Sequence, residues 1–300
     1  MTNYTRREFL KTAGLAGAAL TLWFVSNGQY ANSQNTVYSE RDEIEGKFSH
    51  AEPSWKEIRK GLEFSRTEVY RNGEPVDRLG IVKADPEYNS FAVFQTSKNP
   101  ITIEQWQKAT KADVVFNSSY FQDNLDPCGL IMMDGFQKGP KTNKAMKGMF
   151  VAEPIDNRRP KAKIIDFNDE QFDYKNPGWK EGVQSFPMLL DEHGTIGLKK
   201  SNRRTNRTVV CDDRKDNIIV MTTEGGYFSL YDMGLFLRES NLNIKHAMNM
   251  DGGYGIANMM VKTKKVEYDT YGQERQEKID ISIPDMHILL PAVVGIYERK

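Results

Sequence analysis

The sequence predicts an α+β fold, a mixed β-sheet with a few packed helices, on three observations. Short β-branched or aromatic runs recur along the chain, turn signals separate them, and two helical stretches stand out, scattered among the strands. Strict alternation of strand and helix would have indicated a doubly wound βαβ array instead.

The N-terminus is read separately from the fold. Thr5-Arg6-Arg7-Glu8-Phe9-Leu10-Lys11 precedes an uncharged, mostly apolar stretch from Thr12 to Val25, a charged region followed by an apolar one as in an export signal. The stretch is about fourteen residues, short of the roughly twenty that span a bilayer, and its apolar residues cover every face, unlike an amphipathic helix. Residues 1–33 are thus expected to be a twin-arginine signal peptide. The translocation machinery of that route is the implied partner, and the destination is the periplasm or the medium. Ala31-Asn32-Ser33 offers small residues for cleavage but no clean Ala-x-Ala, which leaves anchoring by an uncleaved signal open. Residues 34–54 are polar and read as a flexible linker, and residues 55–300 as the domain, beginning near Trp55.

Within the domain, strands are expected at Phe64 to Tyr70, Ser90 to Gln95, Ala112 to Phe116, Leu130 to Met133, Met149 to Ala152, Lys163 to Asp166, Thr208 to Asp212 and Ile218 to Thr222. Asn72-Gly73, Asp134-Gly135, His193-Gly194 and the polar cluster from Asp212 to Asn217 supply turns, the last joining two apolar strands as a hairpin. One helix is expected from about Thr102 to Ala109. The other runs from Leu230 to about Glu239, where Ser229 and Asp232 have the spacing of a capping box.

Composition narrows the function. Lys plus Arg and Asp plus Glu balance at 41 each, with 39% hydrophobic residues, so a real core is available and nothing points to nucleic acid. Cys128 and Cys211 can form at most one disulfide or remain two buried thiols. The four histidines lack metal-ligand spacing, no phosphate-cradling or nucleophile-elbow motif occurs, and Asp123-Asn124-Leu125-Asp126 lacks the glycine and distal glutamate of a calcium loop. No metal and no cofactor are expected.

Three segments concentrate polar residues at the ends of apolar runs, where a strand fixes position and a turn exposes the side chain. They are Val114 to Phe121, Arg203 to Val210, and Ala247 to Tyr254. In this order they resemble the signatures of the phosphodiester glycosidase domain family, whose best-known member removes N-acetylglucosamine from a phosphodiester to mannose. Asn117, Tyr120 and Phe121 match its Asn-Gly-Gly-Tyr-Phe turn, Arg207 and Thr208 its Arg-Thr strand entry, and Asp251, Gly252 and Gly253 its Asp-Gly-Gly-Gly-Ser turn. Ser185 to Leu189 resembles its small-residue-Pro-Leu segment, and Thr223 to Gly226 its passage into a helix. The likeness covers roughly Val114 to Asn258, with Val293 to Tyr297 as a closing strand. Ser118 and Ser119 stand where the family has glycines, and Tyr254-Gly255-Ile256 replaces Gly-Ser-Ser, so the resemblance implies a different substrate from that member's own.

Read as chemistry, these residues suit a sugar phosphodiester. Arg207 offers paired, permanently charged donors to a phosphate. Gly225 and Gly226 precede a helix whose N-terminus also attracts anions. Asp251 suits the anomeric carbon as nucleophile, general base or electrostatic stabiliser. Glu224 is a candidate second acid or a solvated loop residue, and Asn117 a candidate for orienting a sugar hydroxyl or a structural turn residue. Thr208, Gly252, Gly253, Tyr120, Ser118, Ser185, Gly225 and Gly226 complete the expected substrate-binding set. A phosphomonoester leaving group, with a second pKa of about 6, needs little help from a general acid. The expected function is an exported hydrolase of sugar phosphodiesters in envelope or exopolysaccharide glycans, against the alternative of a binding protein that keeps only the cleft.

Overall fold

The computed structural model describes residues 47–96, 98–141, 143–271 and 288–300. The expected signal peptide and most of the expected linker lie outside the described residues. The sheet begins before Trp55: β1 (Phe48–His50) pairs with β3, and Phe48 is buried among Phe228, Phe236 and Tyr227. The linker reading therefore gives way at Phe48, where an apolar anchor outweighs its polar flanks.

The chain continues through β2 (Lys56–Arg59), β3 (Leu62–Arg71), β4 (Glu74–Ala84), β5 (Asn89–Gln95), helix α1 (Ile103–Thr110), β6 (Val114–Asn117), β7 (Ile131–Met133) and β8 (Phe136–Lys138). Next come β9 (Gly148–Pro154), β10 (Ala162–Asp166), β11 (Trp179–Ser185), β12 (Met188–Leu190), β13 (Thr208–Asp213) and β14 (Ile218–Thr223). Helix α2 (Leu230–Glu239), β15 (Ile244–Asn249), β16 (Met259–Lys262), β17 (Glu267–Asp269) and β18 (Ala292–Glu298) complete it. Each expected strand falls on an observed one, and the expected helices fall on α1 and α2.

Three sheets result, ordered β1-β3-β4-β14-β13-β15-β12 with β2 beside β3, β10-β9-β11-β7-β8, and β17-β16-β6-β18-β5. Strands dominate, and the expected mixed sheet is corrected: every strand pair among the described residues is antiparallel. Parallel neighbours need crossover connections, usually helical. Here tight turns do much of the connecting: Asn72 and Gly73 join β3 to β4 with φ of 55° and 85°, and Asp134 and Gly135 join β7 to β8 with φ of 45° and 85°.

Inner faces of the three sheets share one core, where Phe91 of the third meets Phe150 of the second at 5.4 Å between ring centroids and Val82, Val210 and Val220 come from the first. Fully burying one such side chain stabilises by about 1.5–3 kcal/mol. α2 covers the outer face of the first sheet through Met233, Phe236 and Leu237, and α1 covers the third through Ile103 and Trp106. α1 starts on a complete capping box between Thr102 and Gln105. In α2 the box is altered: Ser229 accepts from the Asp232 N–H at 3.0 Å, while its hydroxyl donates to the Asp232 carboxylate at 2.9 Å.

Carboxylates stitch the sheets together. Glu153 and Glu181 of the second sheet accept the outward N–H groups of Phe91 (3.0 Å) and Val93 (2.8 Å) on the edge strand β5, which occupies donors that an edge strand would otherwise expose. Burial raises the Glu181 carboxyl to about 7. Cys128 and Cys211 are separate, buried free thiols.

Candidate active site

All three motif segments arrive at one end of the first sheet. β13 begins at Thr208 beside the end of β15, with Val209 opposite Asn249, and β6 of the third sheet ends there at Asn117. The Asn117 side chain joins them. Its carbonyl oxygen accepts from Thr208 Oγ1 at 2.6 Å and from the Asn258 N–H at 2.9 Å, and its amide donates to the Asp251 carbonyl at 2.8 Å and the Ser118 carbonyl at 3.0 Å. An asparagine amide has two donor hydrogens and two acceptor lone pairs, and all four are engaged. Asn117 is 1% exposed, and its side chain ties the motif segments together, as in the structural reading of this residue. Thr208, fully buried, shares that task.

Arg207 and Asp251 do converge. Asp251 Oδ1 accepts from the Gly252 N–H at 3.0 Å, and a Cβ placed on Gly252 would stand 3.8 Å from Arg207 Nη1 and 2.9 Å from the Asn206 carbonyl. Glycine is therefore required at 252 by close packing, and at 253 by a φ of 106°. Gly253 also donates its N–H to the Asn206 carbonyl at 2.9 Å. Arg207 is 7% exposed, with Nε on the Phe228 carbonyl at 3.1 Å and Nη2 on the Arg203 carbonyl at 2.9 Å. No carboxylate among the described residues pairs with it. Burial lowers its pKa from the ordinary arginine value, an effect the nearby Tyr120 phenol opposes. A buried guanidinium held only by neutral carbonyls favours an anion beside it.

Around this pair lies a polar relay. Ser119 Oγ donates to Ser185 Oγ at 2.9 Å, Ser185 Oγ to the Asn249 carbonyl at 2.7 Å, and the Asn249 amide to the Tyr120 hydroxyl at 2.6 Å. Tyr120 packs on Phe186 at 4.8 Å. Ser119 thus finds a partner where the resemblance expects glycine, whereas Ser118 Oγ and Asn249 Oδ1 are buried without a hydrogen-bond partner among the described residues.

Two expected contributors are withdrawn from the site. Glu224 is 4% exposed and clasped by Arg66 through Nε at 2.7 Å and Nη2 at 2.6 Å, with the Tyr268 hydroxyl at 3.2 Å. This buried, neutralised carboxylate ties the first sheet to β17 and is not a second acid. Nor does the Gly225-Gly226 turn offer an anion site. Asp77 occupies it, accepting from the Gly225 N–H at 2.7 Å and the Tyr227 N–H at 3.2 Å, while Ser229 and Asp232 satisfy the start of α2. Burial raises Asp77 to about 6.

Asn206, Asn249 and Asp77 were not nominated from sequence. Asn206 spreads its amide over the carbonyls of Thr223, Glu224 and Gly225 at 3.3, 3.1 and 3.0 Å, which locks the turn against the Arg207 strand. Its place immediately before Arg207, like that of Asn249 two residues before Asp251, was the available signal; Asp77 gave none. Among the described residues no group of three or more His, Cys, Asp or Glu is arranged to hold a metal ion.

The family model described as phosphodiester glycosidase matches residues 110–283, more than half of the chain. The chain belongs to the phosphodiester glycosidase family. The catalytic domain of zebrafish N-acetylglucosamine-1-phosphodiester alpha-N-acetylglucosaminidase, auto-inhibited by its pro-peptide, shares the fold with a TM-score of 0.56 and 17% identity, over 84% of this chain and 89% of that one. A hypothetical protein from Synechocystis superposes with a TM-score of 0.55 and 12% identity, over 83% of this chain and 64% of that one. No curated protein sequence matches. The family is one of hydrolases, and residues 110–283 hold all three motifs around the Arg207–Asp251 pair.

Proposed function

We propose that the protein is an exported phosphodiester glycosidase that hydrolyses the bond between a sugar's anomeric carbon and a phosphodiester in envelope or exopolysaccharide glycans. The observation that carries this reading is the buried Arg207 guanidinium, without a carboxylate partner among the described residues, beside the Asp251 carboxylate at Gly252. Arg207 binds the phosphate oxygens and stabilises the charge that gathers there as the C1–O bond breaks. Asp251 faces the anomeric carbon. Water supplies hydroxide to C1 and its remaining proton to the departing phosphomonoester, which keeps the electrons of the broken bond. A leaving group this acidic accounts for the absence of Glu224 from the site. Export rests on Arg6, Arg7 and the apolar run behind them.

Hydrolysis of methyl N-acetylglucosaminyl phosphate by the wild type, Arg207→Ala and Asp251→Asn tests the reading. Wild-type turnover with both variants reduced at least about a hundredfold is expected; full turnover in both variants would refute it. A second reading, a glycan-binding protein without turnover, draws on the one carboxylate, Asp251, that the site keeps among the described residues; sugar phosphate bound but not cleaved by the wild type would select it. For export, the double variant Arg6→Lys, Arg7→Lys is expected to be retained in the cytoplasm, and unchanged secretion of that variant would overturn the twin-arginine assignment.

A further inference from the structure

Leading into Arg207 is a segment whose charge a single scissile phosphate does not explain. From Lys199 to Arg207 the chain carries Lys199, Lys200, Arg203, Arg204 and Arg207, and no Asp or Glu occurs between Glu192 and Asp212, in a protein whose charges otherwise balance. Residues 199–204 are all exposed, and exposure ends at the buried Asn206 and Arg207. The segment is not a loose tail. The Thr205 N–H donates to the Phe228 carbonyl, the Arg203 carbonyl receives Arg207 Nη2, and the Arg204 guanidinium lies 4.3 Å from the centre of the Tyr227 ring. These contacts seat Arg203 and Arg204 at the edge of the site, with exposed Lys199 and Lys200 just ahead of them in the chain. Lys199, Arg203 and Arg204 pair with no carboxylate among the described residues.

Resting on the phosphodiester reading above, we infer that the substrate is a polymer with repeated phosphodiester linkages, whose flanking phosphates lie along residues 199–204 while Arg207 holds the scissile one. A single-linkage substrate brings one negative charge, which Arg207 takes, and leaves Lys199, Arg203 and Arg204 without anions to meet. A poly(sugar phosphate) brings one charge per repeat and matches a linear array of cations. An anionic bilayer fits less well, because interfacial binding couples cations to apolar anchors. Residues 199–204 read Lys-Lys-Ser-Asn-Arg-Arg, and the exposed large apolar residues Tyr88, Phe136 and Ile155 are elsewhere in the sequence.

The test compares a six-repeat poly(N-acetylglucosamine 1-phosphate) with methyl N-acetylglucosaminyl phosphate, by kcat/KM and by equilibrium binding, for the wild type and for a Lys199→Gln, Lys200→Gln, Arg204→Gln variant. Arg203 is left intact because its carbonyl positions Arg207. We expect the hexamer to be preferred by about tenfold or more, a preference lost in the triple variant and on raising salt from about 0.05 to about 0.5 M. If the single-linkage compound is hydrolysed but the hexamer has no advantage, or keeps it in the variant, the polymer inference fails and the phosphodiester reading stands. If neither is hydrolysed but the hexamer binds with the expected salt and variant dependence, the rim assignment stands and the hydrolytic reading fails. Neither cleavage nor binding removes both. Equal or tighter binding of phosphatidylglycerol vesicles or of a six-nucleotide single-stranded DNA overturns the inference in favour of those partners.

Discussion

Two buried charges near the same turn have opposite surroundings. Glu224 is 4% exposed and Arg207 is 7% exposed, yet Glu224 is gripped by Arg66 with two hydrogen bonds while the Arg207 guanidinium, among the described residues, donates to the carbonyls of Phe228 and Arg203. A buried charge is costly unless paired. In Glu224 the pairing is internal, so removing it costs stability. Arg207 donates to neutral carbonyls, with no carboxylate partner among the described residues, which is the ground for the phosphate-binding role proposed for it. Burial alone does not distinguish the two charges; their partners do.

Five substitutions probe that difference, in decreasing order of effect. Arg207→Ala is expected to lower kcat/KM by about a hundredfold to a thousandfold while moving the melting temperature by no more than about 3 °C. A loss of stability without a loss of rate, read by calorimetry beside kinetics, would make Arg207 the structural member. Glu224→Gln should do the reverse, costing about 2 kcal/mol in urea unfolding with turnover kept within a few-fold. That is less than the roughly 3–5 kcal/mol of a fully buried pair, because the Arg66 side chain is 28% exposed. A collapse of turnover in a folded Glu224→Gln protein would restore the second acid.

The pH dependence comes next. Burial raises Asp77 from 3.8 to about 6 in the folded chain. Ionising it therefore opposes folding: this contribution to stability is fully present below pH 3.8 and is lost as pH rises through about 6. Comparing unfolding midpoints of the wild type and Asp77→Asn at about pH 4 and about pH 7 should show the wild type losing roughly 2 kcal/mol relative to the variant. A constant gap between the two proteins would contradict the assignment. Smallest is the contrast between adjacent glycines. A Cβ on Gly225 would meet Asp77 Oδ1 at 2.9 Å, whereas one on Gly226 finds nothing nearer than 3.7 Å. Gly225→Ala should cost about 1 kcal/mol, and Gly226→Ala should stay within about 0.5 kcal/mol. Equal effects in thermal unfolding would show that Asp77 does not fill the turn.

The same residues show where sequence reasoning reached and where it stopped. Arg207 and Asp251 were legible because each sits at a strand end within a motif, and the strand then carries it to the site. Glu224 and Gly225 were misassigned because their partners Arg66 and Asp77 are 158 and 148 positions away, beyond any local pattern. The fold divides likewise. β13 and β14 read clearly as apolar runs around a polar hairpin. β4 escaped because Pro75, Asp77, Arg78 and Gly80 look like a turn, and β11 because Lys180, Glu181 and Gln184 look solvated. Glu181 is satisfied by the N–H groups of Val93 and Asp134, and Gln184 by Leu130 and Met146, partners that only the folded chain supplies.

The position of β18 bears on when the site comes into being. It enters the third sheet between β5 and β6, and the Ala292 carbonyl at its start receives the Ser118 N–H. A nascent chain that has not yet delivered residues 292–298 leaves β6 with an open edge, and Asn117 without its strand partner Val293. The third sheet therefore closes only after residues 292–298 are in place, later in chain order than every strand of the first sheet. The turn at Asn117 and Ser118 is thus braced by a strand that follows it by more than 170 positions, and the order of the motif segments about it depends on that late arrival.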